Sequence, residues 1–118
     1  MIKMATSVLT QSILDTVKRG IGGIDVYYTV FDNEIIDDIN TAFMYLHQMG
    51  VGPQDEPFYI EDRTSTWNDF DSKISLILAV KQYVIKKVKL EFDPPTSAAV
   101  KEAIKSEIDE AEWRLCNR

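Results

Sequence analysis

Four carboxylates lie close together in the sequence, at Asp32, Glu34, Asp37 and Asp38. Carboxylate oxygens are the ligands that hard cations such as Mg²⁺ prefer, so this cluster could support a metal-dependent hydrolase. Asp32 and Glu34, however, fall where a helix would begin, and a carboxylate is favourable there because of the unpaired N–H groups and the helix dipole. Asp37 and Asp38 would lie on the face opposite the apolar side of that helix. We therefore predict a solvated helix face and no metal site.

The other side chains that could act in catalysis are His47 and Cys116. His47 would lie near the end of a helix, where the helix dipole favours a histidine without any catalytic role. Cys116 falls in the last turn of the final predicted helix, and one cysteine with one histidine cannot supply the usual ligands of a structural zinc ion. The glycines of "GIGGI", residues 20–24, follow a helix and lack the Lys-Ser or Lys-Thr pair of a phosphate-binding loop. The sequence predicts no catalytic residue, no metal and no cofactor.

Basic side chains are concentrated in one stretch, at Lys81, Lys86, Lys87 and Lys89. Consecutive helical residues are about 100° apart, so these lysines would spread around the helix rather than form a stripe. They are typical of a solvated face, or of a surface for an acidic partner or a neighbouring copy of the chain. The net charge of -6 argues against a protein that grips DNA phosphates, since such proteins concentrate positive charge.

Amphipathic patterns predict four helices that would position these side chains. In the first, Thr6 or Ser7 can act as the N-cap and Gly20 ends the helix. Asp32 is the expected N-cap of the second helix. The patterns cover about residues 7–19, 32–49, 72–92 and 97–116. The expected buried face of the second helix consists of Ile35, Ile36, Ile39, Ala42, Phe43 and Leu46.

The third predicted helix is apolar on nearly every face in its first half, so it should be central to the bundle. We expect Ile77, Leu78, Val84 and Val88 to be largely buried. The segments between the helices are shorter elements. The β-branched and aromatic residues 25–31 favour an extended segment, "FYIED" at residues 58–62 favours a brief strand, and "TSTWNDF" at 64–70 favours a single turn with Thr66 as its cap.

A double proline separates the last two predicted helices. Asp93, Pro94 and Pro95 end the third helix because proline lacks a backbone N–H and disfavours helical geometry in the residue before it. Both helices would be roughly 30 Å long, and the short reversal between them predicts an antiparallel hairpin. The apolar stripe of the last helix consists of Val100, Ile104, Ile108, Ala111 and Leu115.

Trp113 falls beside that stripe rather than on it, next to Arg114. Tryptophan and arginine are enriched at interface hot spots, so Trp113 is either at the edge of the core or an anchor that faces a partner. The 118 residues, of which 45% are hydrophobic, are enough for one all-α domain over residues 1–118. The longest apolar run, "LILAV", is too short for a membrane span. We expect no membrane association and a cytosolic setting, or assembly within a host cytosol.

Four segments together resemble the head–tail connector (adaptor) proteins of tailed bacteriophages and prophages. They are "FDNEIIDDINTAFMYLHQMGVGP", "IEDRTSTWNDF", "AVKQYVIKKVKLEFDPPTSAAV" and "IDEAEWRL". The most distinctive pieces are Phe92-Asp93-Pro94-Pro95 and Glu112-Trp113-Arg114-Leu115, which specify helix ends and packing and carry no catalytic group. The sequence departs from the family pattern in a long, glycine-containing connector at residues 20–31.

The resemblance implies a structural virion protein, not an enzyme, assembled in the bacterial cytoplasm. Its partners would be the portal protein, a stopper, head-completion or tail protein, and other copies of itself in a ring of about twelve. DNA would pass through the ring without sequence-specific binding. The last helix would leave the bundle edge and dock on the portal through Glu112, Trp113, Arg114 and Leu115. The alternatives are a small DNA-packaging or DNA-binding regulatory protein, which would need a basic recognition helix, and the metal-dependent hydrolase.

Overall fold

A computed structural model describes residues 8–118 of the chain. These residues form helices and connecting segments without a β-strand, which confirms the all-α prediction. Residues 8–10 are helical and precede the elements that the chain then forms in order. They are α1 (Ile13–Ile21), α2 (Asp32–Gln48), the single-turn α3 (Trp67–Phe70), α4 (Ile74–Phe92) and α5 (Ala98–Cys116). No helix within residues 8–118 has both the length and the hydrophobicity needed to cross a membrane.

The first predicted helix is interrupted at Ser12. The Ser12 side chain accepts a hydrogen bond from the Asp15 N–H (3.3 Å) and so caps α1. Ser12 also forms an isolated antiparallel bridge with Thr66, and the Ile13 N–H donates to the Ser65 carbonyl (3.0 Å). At the break, backbone groups bond to a segment distant in sequence instead of to the preceding helical turn. The periodicity of apolar residues in the sequence cannot reveal such a contact. The caps predicted at Thr6 or Ser7 lie outside the described residues.

Gly20 does not end α1, contrary to the sequence-based expectation. The helix continues to Ile21, and Gly22 ends it with a φ of 76°, a conformation that disfavours other residues. Gly20 is instead a packing position, because a Cβ there would lie 2.7 Å from Cδ1 of Ile85. A methyl group at residue 20 would therefore overlap the Ile85 side chain, which would have to shift.

Helix α4 is central, as the sequence predicts, because it packs against α1, α2 and α5. Ile77, Val84 and Val88 are fully buried. The prediction for Leu78 was wrong: its side chain is 46% exposed. The first half of α4 is apolar around most of its circumference, but three neighbouring helices do not cover the side on which Leu78 lies.

Because Ile77 is buried and Leu78 is half exposed, truncating these two side chains to alanine should destabilise the protein to different extents. Ile77→Ala should lower the free energy of unfolding by about 2–5 kcal/mol, because it leaves a cavity in a closed core. Leu78→Ala should cost about 1 kcal/mol or less, because much of the side chain already contacts solvent. Urea denaturation of the two variants measures both values. Equal losses for the two variants would contradict the position of the core described here.

The apolar face predicted for α2 is buried in full, but its N-terminus differs from the prediction. Phe31 precedes the helix without a side-chain cap, and Asp32 is the first helical residue. The Asp32 carboxylate accepts a hydrogen bond from Nζ of Lys18 at 2.7 Å. Asp32 was therefore wrongly predicted as a cap, because its charge is used to pair a lysine of α1.

The two segments predicted as extended contain no strand. Residues 26–27 and 30–31 form turns. In the "FYIED" segment, the N–H and carbonyl of Ile60 are bound by the side-chain amide of Asn40, at 2.8 and 3.0 Å. This amide satisfies the two groups that a strand partner would otherwise bind. The single turn α3 has the predicted capping box, in which Thr66 and Asp69 bind each other's backbone N–H groups.

Helices α4 and α5 form the predicted antiparallel hairpin. Asp93 ends α4, and the Ser97 side chain caps α5 by accepting a hydrogen bond from the Val100 N–H (3.3 Å). Two contacts set the antiparallel pairing. They are the Lys86–Glu107 ion pair (3.4 Å) and the hydrogen bond from the Tyr83 hydroxyl to Glu112 (2.8 Å). Only Ile108 and Leu115 of α5 are buried, and Val100 of the predicted stripe is exposed.

Candidate interaction surfaces

The acidic residues of α2 form a surface depression with the end of α4. Glu34, Asp37 and Asp38 line it together with Glu91 and Phe92, whereas Asp32 faces Lys18. Partial burial, and then repulsion from Glu91, Asp37 and Glu34, raises the pKa of Asp38. Within residues 8–118, no three carboxylate, histidine or cysteine side chains are arranged to hold a metal ion. We call Glu34, Asp37, Asp38 and Glu91 the acidic cluster.

Removing charge from the acidic cluster should not destabilise the fold. The folded state raises the pKa of Asp38, so ionisation of this group opposes folding as the pH rises through its pKa. Asp37→Asn with Asp38→Asn should leave the free energy of unfolding at neutral pH unchanged within about 0.5 kcal/mol, or slightly higher. Denaturation at neutral pH and at pH 3 tests this, because the difference between variant and parent should disappear when the carboxylates are protonated. Loss of a magnesium-dependent activity in a folded variant would contradict the structural role of these residues.

His47 and Cys116 are not assembled with a catalytic partner in the described part of the chain. Nδ1 of His47 lies 3.2 Å from the Pro53 carbonyl oxygen, so the ring contacts the loop that follows α2. Cys116 is exposed at the end of α5.

The predicted basic surface is divided among three neighbouring helices. Lys86 pairs with Glu107 of α5, and Nζ of Lys87 lies 4.4 Å from the centre of the Tyr45 ring of α2. Lys89 donates to the Ile21 carbonyl of α1 (3.2 Å) and to Asp93 (3.1 Å). Lys81 is half-buried. Lys86, Lys87 and Lys89 thus contact the helices packed around α4, and a role of the basic surface in binding a partner stays a prediction.

The four residues predicted to dock on a partner point in two directions. Trp113 is 66% exposed, and Arg114 reaches solvent while pairing with Glu110 (2.7 Å). Leu115 is buried, and Glu112 accepts the hydrogen bond from Tyr83. Burial, followed by the hydrogen bond and charge of Glu112, raises the pKa of Tyr83 far above its usual value, so the phenol stays protonated.

The end of α5 does not project from the bundle, which corrects the expectation drawn from the double proline. The antiparallel hairpin returns it to the beginning of α4, and Arg118 donates to the Gly50 carbonyl (3.2 Å). Trp113 is therefore exposed on the outer face of a packed helix, and not at a free tip. The exposed ring excludes the interpretation of Trp113 as a core-edge residue.

A groove with a volume of about 640 Å³ lies between the first half of α4 and the second half of α5. The small side chains of Ala79 and Ala111 face it, and Leu76 and Leu115 extend its apolar floor. The charged residues along its rim are Lys73, Lys86, Arg114, Arg118, Glu107 and Glu110. We call it the α4–α5 groove. Sequence reasoning missed it, although two alanines on facing helices are a signal that space is left between them.

The connector between α1 and α2 exposes a group of large apolar side chains. Tyr27 is 82% and Val30 is 67% exposed. Tyr28 and Phe31 are also exposed, and the Phe31 ring packs edge-on against Phe92 at the end of α4, with centroids 5.5 Å apart. We call Tyr27, Tyr28, Val30 and Phe31 the aromatic patch.

Two cations hold the backbone of this connector in place. Nζ of the fully buried Lys18 donates to the carbonyls of Val26 (3.0 Å) and Tyr28 (2.7 Å), as well as to Asp32. Arg63 donates to the Val26 carbonyl (2.7 Å) and to Asp15 (3.0 Å). Sequence reasoning missed both residues. The available signal was Lys18 itself, which lies four residues after the buried Leu14 and therefore on the same helix face.

The structure is a small helical protein with an acidic depression, an apolar groove and a group of exposed aromatic side chains on its surface. The family model described as phage connector protein matches residues 13–118. The chain therefore belongs to the phage connector protein family, as the resemblance of its motifs predicted. It has a structural connector role in the phage particle and interacts with other head or tail proteins. Neither the curated proteins nor the solved structures contain a match.

Proposed function

We propose that copies of this chain form a ring between the portal and the stopper or tail, which extends the DNA channel. The observation that carries this proposal is the family match over residues 13–118. Rings of about twelve copies suit the cyclic symmetry of a portal through contacts that repeat from one copy to the next. The net charge of -6 suits a channel that DNA passes without adhering to its wall.

The outer face of α5 is the proposed portal-docking surface. Trp113 is a large exposed side chain on a well-packed helix, so it can bury much apolar area on binding without first being ordered. Arg114 adds a charged group beside it. Glu112 and Leu115 attach this part of α5 to α4, and so they fix the position of Trp113 rather than contact the partner themselves.

Binding to capsids with and without a portal tests the proposed function. The purified protein should sediment with portal-containing heads that lack a tail, and should not sediment with otherwise identical shells assembled without portal. A gel-shift experiment on linear DNA is the matched control for the DNA-binding alternative, and should give no retarded band at physiological salt. Equal binding to both kinds of shell, or a retarded band without portal-dependent sedimentation, would contradict the proposal.

A further inference from the structure

We propose that the aromatic patch of one copy inserts into the α4–α5 groove of the next copy, so that the copies join head to tail. This inference rests on the ring of the proposed function, for which it names the contact between copies. The partner is thus a second copy of this chain, and two different surfaces of each copy take part.

The two surfaces lie at opposite ends of α4. The aromatic patch contacts Phe92 in the last turn of α4, whereas Leu76 in the first turn contributes to the groove. Sixteen residues of helix separate these positions by about 24 Å. The residues that line the groove include none of the patch of the same copy, so the groove is open to a second copy. When copies join through two unlike surfaces, a row of copies has a free groove at one end and a free patch at the other. The row closes into a ring when the rotation from one copy to the next adds up to a full turn.

Both surfaces offer apolar side chains for contact. The groove is a concave site with an apolar floor formed by leucine and alanine side chains. In the patch, Tyr27 and Val30 are the most exposed side chains. Exposed apolar side chains that cluster in this way mark contact surfaces, and tyrosine buries a large apolar ring while its hydroxyl can stay hydrated. The buried Lys18 holds the backbone beneath the patch, so the connector loses little conformational entropy on docking.

The excess charge along the groove and the charge beside the patch are opposite in sign. Four cations and two carboxylates line the groove, and the carboxylates already pair with Lys86 and Arg114, which leaves Lys73 and Arg118 in excess among the lining residues. The acidic cluster lies beside the patch: Glu91 precedes Phe92 in α4, and Glu34 lies in the first turn of α2, which follows Phe31. Opposite charges favour contact between unlike ends, and like charges oppose contact between two grooves or two patches. This asymmetry selects a head-to-tail contact between copies.

Disulfide crosslinking tests whether the two surfaces meet. In a Cys116→Ser background, Tyr27→Cys combined with Ala79→Cys should give a ladder of dimers, trimers and larger species under mild oxidation. A bond within one copy would leave a monomer, so only bonds between copies can produce the ladder. Tyr59→Cys combined with Ala103→Cys is the matched control, because both positions are exposed but lie outside the two surfaces. The experiment is run on the free protein and on the protein bound to portal-containing heads.

Mixing two defective variants tests the head-to-tail geometry. Ala79→Glu blocks only the groove and Tyr27→Lys blocks only the patch, so each variant alone should associate about tenfold more weakly than the parent. An equimolar mixture retains one intact pair of surfaces and should form a 1:1 dimer that grows no further in sedimentation analysis. Ala103→Glu and Tyr59→Lys should associate like the parent. The association of the parent should weaken as salt is raised, because exposed charges are screened.

The outcomes separate this inference from the proposed function. If neither the free nor the head-bound protein gives the ladder, or if the mixture stays monomeric, the contact is wrong. If the protein binds portal-containing heads but Ala79→Glu and Tyr27→Lys assemble normally, the contact is wrong and the proposed function stands. If the ladder and the mixed dimer form but no species binds heads, the contact stands and the proposed function is wrong.

Discussion

Replacing Trp113 with alanine is expected to weaken binding to portal-containing heads about tenfold or more, which corresponds to about 1.4 kcal/mol. The indole is largely exposed on the outer face of α5 and is available to a partner. Hot-spot tryptophans typically cost about 2 kcal/mol or more when truncated, whereas residues at an interface rim cost far less. Sedimentation of the variant with heads over a range of protein concentrations measures the change.

Stability and a second α5 variant provide the controls for Trp113→Ala. Because Trp113 contributes little to the core, its truncation should leave the melting temperature nearly unchanged. Val100→Ala removes another exposed apolar side chain, at the opposite end of the same helix, and should bind heads like the parent. A Trp113→Ala variant that folds and binds heads with unchanged affinity would remove this face of α5 from the portal contact.

Replacing Lys18 with methionine is expected to lower the free energy of unfolding by about 3–5 kcal/mol. The substitution keeps most of the apolar stem but removes the ammonium group that binds Asp32 and two backbone carbonyls. The Tyr28 carbonyl and the Asp32 carboxylate then lose the Lys18 donor, whereas the Val26 carbonyl keeps its hydrogen bond from Arg63. The largely buried Asp32 carboxylate also loses its counterion. Urea denaturation of the variant and the parent measures the loss.

Two further variants isolate the ion pair from general effects of the substitution. Lys101→Met changes an exposed lysine of α5 and should cost about 0.5 kcal/mol or less. Adding Asp32→Asn to Lys18→Met should restore part of the stability, because the unpaired charge is removed. If Lys18→Met cost no more than Lys101→Met, the buried ion pair would not hold the connector as described.

The parts of the fold that could be predicted from the sequence are those that local interactions determine. The apolar face of α2, the capping box at Thr66 and the reversal after Asp93 all depend on residues within a few positions of one another. Their prediction needs no knowledge of what packs nearby. The resemblance to the connector family was also available, because its motifs mark these same helix ends.

The rest depends on contacts between segments distant in sequence. Leu78 has the same residue type as a core leucine, and only the missing neighbour on its side of α4 makes it exposed. The break at Ser12 depends on residues 65–67, and Lys18 is bound by groups 8 to 14 residues further along the chain. The groove was missed for the same reason, since it is formed by residues of two helices that come together only in the folded chain. The residues of the aromatic patch are neighbours in the sequence, but their exposure depends on which segments pack against the connector.

Cryo-electron microscopy of tailless, portal-containing heads incubated with this protein tests the connector role most directly. We expect a ring of additional density on the outer side of the portal, at one vertex only, with a channel along its axis. Heads incubated with Trp113→Ala should show this density at reduced occupancy. An unchanged portal vertex, or density distributed over the shell or along released DNA, would contradict the account.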